Sequence, residues 1–267
     1  MTRLAILQIL SSFLLGGAIV ALQAYAAERV PQKISGIILA LPSTIIVNYF
    51  FLFQVLGAEG FSHVLPLIPA PLGLSLILIA VYIYMAKWIS MFFKAPKLIL
   101  IFICTIVSSA IWLAISVPLA IYKFDNVSLS IVIFVLLAFL SQLILNRGSA
   151  KYRQVQTVHY TWVEQLTRAV FAGLMVAATV YFAKILGPFW GGIMAVFPAA
   201  FLSTIVIIHH YYSHEALFGF FKSAPLGTTT LIIYAVIAHF CFPVIGVAWG
   251  TLLCVAISYA YSWLLST

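Results

Sequence analysis

A chain of 267 residues that is 65% apolar and only 7% charged is too poor in charge for a water-soluble globule, where about a quarter of residues are charged. Apolar runs of about 20 residues recur along its whole length, each long enough to cross a bilayer core, whereas a β-barrel would show short alternating segments. The net charge of +8 is spread over short polar stretches, so it reads as topology information and not as a nucleic-acid patch. An all-α polytopic membrane protein follows, with the lipid bilayer as its first partner and no nucleic acid.

Hydropathy predicts nine spans: 4–26, 33–56, 67–86, 98–121, 128–146, 166–186, 189–210, 224–242 and 244–265. The first begins like a secretory signal, with Met1-Thr2-Arg3, an apolar run and then Ala24-Tyr25-Ala26. Its apolar run is longer than a signal core, and residues 14–27 have a counterpart at 170–183 in mid-chain, so it is read as a retained span. Cys104, Cys241 and Cys254 all fall inside predicted spans and read as small buried apolar residues.

The second and seventh spans share a pattern. Ser35-Gly36-Ile37 leads to Pro42, and Gly191-Gly192-Ile193 leads to Pro198, 156 positions later. A proline inside a membrane helix lacks its N–H and crowds the carbonyl four residues before it, which must find another partner. Set without a gap, 14–73 matches 170–229: Gly17 meets Gly173, Tyr25 meets Tyr181, Glu59 meets Glu215 and Pro69 meets Pro225. Each copy supplies four spans and a fifth stands between them, so the second copy enters the membrane from the opposite side. The expected organisation is therefore a first repeat over 1–122, a linking helix and connector over 123–165, and an inverted repeat over 166–267.

Loop charges orient the chain. One side carries Arg29, Lys33, Lys87, Lys94, Lys97, Arg147, Lys151, Arg153, Arg168 and Lys222; the other carries Arg3, Lys123 and Lys184. This predicts an N-terminus outside and a C-terminus in the cytoplasm. The run Gly191 to Pro198, the polar-aromatic His209-His210-Tyr211-Tyr212 and the start Ala224-Pro225-Leu226-Gly227 resemble the GlpM-like family of small bacterial inner-membrane proteins. That resemblance covers about 166–265 and, more faintly, 14–86. It implies an inner-membrane protein built by duplication and supplies no substrate. Small units of that kind would pair as dimers, a pairing this chain builds covalently; a homodimer of the whole chain is left open.

Three constellations are candidates for function. Gly36, Pro42, Ser43, Thr44 and Asn48 in the first broken helix, with Gly192, Pro198, Ser203 and Thr204 in the second, could bind a polar substrate near mid-membrane, or simply pack helices. Glu59 and Glu215, symmetric in a chain with five acidic residues, could carry protons, or be ordinary interfacial carboxylates. His210 and His214, if helical, share a face suited to a divalent metal, although the first repeat does not reproduce them. No phosphate loop, nucleophile elbow or intramembrane acid–base pair marks an enzyme, and no cofactor is expected. The expectation is a secondary transporter for a small substrate or ion, with a membrane scaffold and a divalent-metal carrier as its rivals.

Overall fold

A computed structural model describes residues 3–28, 42–93, 96–149 and 161–266. Among these residues it contains helices and turns and no strand. The order is α1 (Arg3–Glu28), α2 (Ser43–Ser62), a 3-10 turn (Leu65–Leu67), α3 (Pro69–Phe92), α4 (Lys97–Ile121), α5 (Val127–Ser149), α6 (Trp162–Leu186), α7 (Pro188–Ala195), α8 (Ala199–Tyr211), α9 (His214–Phe221) and α10 (Ala224–Ser266). Eight segments are long and apolar enough to cross a membrane, as an all-α polytopic bundle requires. Helices satisfy their own backbone groups, which hydrocarbon cannot do.

The last segment serves as two. A straight helix of 43 residues would be about 65 Å long, twice the hydrocarbon thickness. Gly246 leaves helical geometry with φ 77° and ψ 165°, and the chain folds back there. The Thr229 and Tyr261 hydroxyls then meet at 2.9 Å, although 32 positions separate them. Two arms result, 224–245 and 247–266, so nine passes are available. The expected boundary at Pro243 is corrected by three residues: Pro243 stays within the helix, and the positive φ falls to glycine, which has no Cβ to oppose it.

Sequence punctuation accounts for most helix starts. Pro69 and Pro188 open α3 and α7, where a missing N–H costs nothing. Thr161 and Glu164 form a capping box at the start of α6, the Thr161 N–H donating to the Glu164 carboxylate at 2.6 Å. Pro42 and Pro198 cap α2 and α8 with nearly the same backbone, φ −77° and ψ 44° against φ −77° and ψ 52°. The seventh predicted span is thus two half-helices, α7 and α8. Downstream, α2 kinks at Gly57 (φ 69°), while α8 and α9 are separated by extended Tyr212 and Ser213. The first half of the second predicted span, up to residue 41, lies outside the described residues.

Two spans sit at the centre. In the most apolar window of the α3 span 83% of residues are buried, and in the α7–α8 span 61%, against 17–39% elsewhere. They are tied by a buried hydrogen-bond contact of 3.0 Å between the Tyr82 hydroxyl and His209 Nδ1. At the periphery, Leu7 and Leu14 of α1, Phe102 and Ile106 of α4 and Leu136 and Phe139 of α5 are exposed, an apolar face suited to lipid. The helices α1 and α6 approach through glycines. A Cβ at Gly17 would lie 2.9 Å from the Ala169 carbonyl oxygen, and one at Gly173 would lie 2.5 Å from that of Phe13. These two contacts run in opposite directions along the two helices, so the pair is antiparallel.

Candidate functional site

The helix break at Pro198 is built by local chemistry. Proline offers no N–H, so the chain tightens before it: the Val196 amide donates to Ile193 and the Phe197 amide to Met194, both at 3.2 Å. Carbonyls around the break are then answered from two other helices. Asn48 of α2 donates from Nδ2 to the Ala195 oxygen at 2.7 Å. Ser75 of α3 donates to the Pro71 oxygen at 3.0 Å and lies 3.5 Å from that of Val196. Beyond the break, the Pro198 carbonyl accepts the first helical bond, from Leu202 at 2.8 Å; Pro42 does the same for Ile46 at 3.0 Å.

Between the starts of α2 and α8 lies a cavity of about 150 Å³. Ser43, Thr44 and Asn48 line it from α2, Met194 to Phe201 line it around the second break, and Ser75 lines it from α3. Val20 and Gln23 of α1, and Arg168 and Met175 of α6, close another side. Ser43 donates a hydrogen bond to the Gln23 side chain across this wall. Asn48 is 3% exposed, and its Oδ1 has no hydrogen-bond partner among the described residues.

The residues singled out by sequence divide clearly. Ser43, Thr44, Asn48 and Pro198 line one cavity, and Pro42 caps the helix that carries the first three. Gly192, Ser203 and Thr204 are not among its lining residues. Gly192 packs on Val64 and Leu67, and both hydroxyls bond back to the Ala200 carbonyl, at 3.1 and 2.7 Å. Such back-bonding is the usual resort of a hydroxyl within an apolar helix. Gly36 lies outside the described residues. Glu59 is exposed beyond the α2 kink and Glu215 is half-buried in the first turn of α9, both away from the cavity.

The shared helical face expected of His210 and His214 is not formed. The helix ends at Tyr211 and a new one starts at His214, with extended residues between them. Among the described residues no three His, Cys, Asp or Glu side chains are grouped to hold a metal. His214 lies 3.3 Å from the Ser90 hydroxyl. Burial pushes its imidazole below the usual range, and nearby Lys87 adds to this while Glu215 opposes it. A histidine depressed in the folded state favours folding above its unfolded pKa, near 6.5, and loses that contribution as pH falls. His214→Gln should therefore flatten the loss of thermal stability between about pH 7 and 5; an unchanged pH–melting curve would count against it.

Sequence reasoning missed Gln23, Ser75 and Arg168. Arg168 was assigned to a loop as a topology charge, but it sits in the second turn of α6, because the capping box starts that helix four residues earlier than hydropathy does. The Thr161-x-x-Glu164 pattern could have revealed it. No family model matches the chain, and no curated protein or solved structure gives a significant match.

Proposed function

We propose that this protein is a secondary transporter that moves a small substrate across the membrane by rocking two inverted repeats about the cavity between Pro42 and Pro198. The observation that carries the reading is that cavity, set where two matching helix breaks meet and lined by polar groups of α2, α3 and α6. Broken helices near mid-membrane, facing each other from two repeats, are the usual substrate site of such carriers.

Three features support the inverted repeat. Starts of α2 and α8 at residues 43 and 199 keep the 156-residue offset, and the two capping prolines share one geometry. Each half then deforms at the matching place, Gly57 in one and Ser213 in the other. Contacts between α1 and α6 are also reciprocal, because Phe13 against Gly173 maps onto Ala169 against Gly17 when the repeats are exchanged. A twofold axis produces that exchange. The resemblance to GlpM-like proteins implies duplication and an inner-membrane location, and the loop charges imply an N-terminus outside.

Glu59 and Glu215 remain the proposed proton-coupling pair, one at each face of the membrane. In proteoliposomes, Glu→Gln at both positions should remove the pH dependence of uptake. Unchanged uptake and pH dependence would remove coupling from the account. The rival is a membrane scaffold, favoured by one observation: Asn48 and Ser75 already answer the carbonyls at the Pro198 break. On that reading the breaks shape helices and nothing is carried.

A further inference from the structure

Two helices begin at the cavity wall. α2 starts at Ser43 and α8 at Ala199, and Ser43, Thr44, Ala199 and Ala200 all line the space. A helix start concentrates positive potential, because its first amides have no partner in a preceding turn. The Ala199 amide is taken by the Phe197 carbonyl at 2.7 Å, but those of Ser43, Thr44, Ala200 and Phe201 make no backbone hydrogen bond among the described residues. Arg168 adds a full positive charge from α6, and no aspartate or glutamate is among the lining residues. Among the described lining residues the only side-chain charge is therefore positive.

Asn48 supplies an independent sign of a ligand. Its Nδ2 is committed to the Ala195 carbonyl at 2.7 Å, which fixes Oδ1 as the acceptor. That oxygen is buried without a partner among the described residues, in a cavity-lining side chain that is 3% exposed. A buried acceptor left unmet is costly, and a donor on a bound molecule would relieve it. The size is set by the volume of about 150 Å³, that of a cavity able to hold benzene, or roughly six non-hydrogen atoms. Val20, Leu72, Met175 and Leu231 offer a short carbon skeleton an apolar wall.

We propose that the cavity binds a small organic monoanion that also carries a hydrogen-bond donor, a short hydroxycarboxylate. Arg168 and the amides at the two helix starts hold the carboxylate, and Asn48 Oδ1 accepts from the hydroxyl group. This assignment rests on the transport reading of the same cavity.

The test uses the purified full-length chain with lactate, acetate, glycerol and choline as probes, measuring binding by calorimetry and uptake in proteoliposomes. Lactate should bind at least about tenfold more tightly than acetate, which lacks the donor, and glycerol and choline should not compete. Arg168→Gln should weaken lactate by at least about tenfold, with Arg168→Lys retaining part of the affinity. Asn48→Leu should bring lactate down to the level of acetate. Lactate affinity unmoved by Arg168→Gln, equal or better binding of glycerol or choline, or no binding of any probe would each overturn the assignment. The two readings fail separately. Glycerol or choline uptake that is blocked by Ala200→Trp would keep transport and remove the anion site, whereas lactate bound but never carried would keep the site and remove transport.

Discussion

Gly173→Val is expected to destabilise the protein more than any other single glycine substitution in the α1–α6 seam. A Cβ at this position would lie 2.5 Å from the Phe13 carbonyl oxygen and 3.1 Å from its ring. The ring could turn aside, but the carbonyl belongs to the α1 backbone and cannot move without the helix. Overpacking of a close seam costs about 1–3 kcal/mol, and more where backbone is the obstacle. At about 2–4 °C per kcal/mol for a chain of this size, melting in detergent should fall by on the order of 10 °C. Gly17→Val should act in the same direction, since its Cβ would meet the Ala169 carbonyl at 2.9 Å. Gly227→Ala is the matched control, because nothing lies within 4 Å of its Cβ position. That variant should be neutral or up to about 1 kcal/mol more stable, as alanine is the better helix former. Equal melting points for all three would mean that α1 and α6 do not meet through these glycines.

The second large effect belongs to Asn48. Asn48→Leu keeps the branched shape but removes the donor to the Ala195 carbonyl and the unpartnered acceptor. Stranding that carbonyl should cost about 1–3 kcal/mol of stability. Asn48→Asp also loses the donor and brings a buried carboxylate toward the carbonyl oxygen, so it should cost more. For uptake, Asn48→Leu should lower the rate by about tenfold or more, beyond what its loss of folded protein explains. Melting temperature and uptake per folded molecule, measured side by side, separate these effects. If uptake follows the folded fraction alone, Asn48 only braces the broken helix.

The large features were readable because hydrocarbon enforces them. Composition and run length lead directly to an all-α bundle, and the paired prolines lead to a cavity lined by Ser43, Thr44, Asn48 and Pro198. What could not be read was orientation about each helix axis. In sequence Ser203 and Thr204 look as suitable as Ser43 and Thr44, but they point their hydroxyls back at Ala200. Ser75 was missed because one serine in a long apolar run carries no signal until its helix is placed against the Val196 carbonyl. The His210–His214 face failed because spacing of four implies a shared face only within one helix, and this helix stops between them. Ala70-Pro71-Leu72-Gly73 also recurs as Ala224-Pro225-Leu226-Gly227, at an offset of 154 that a gapless alignment at 156 passes over.

Everything turns on whether the cavity between the proline breaks opens to each side of the membrane in turn. The direct measurement is a single cysteine at Thr44 or Ala200, in a background lacking Cys104, Cys241 and Cys254, labelled in oriented membranes by an impermeant thiol reagent. Each position should react from both faces, and a transported solute should change the two rates in opposite directions. Labelling from one face only, or from neither, would contradict this.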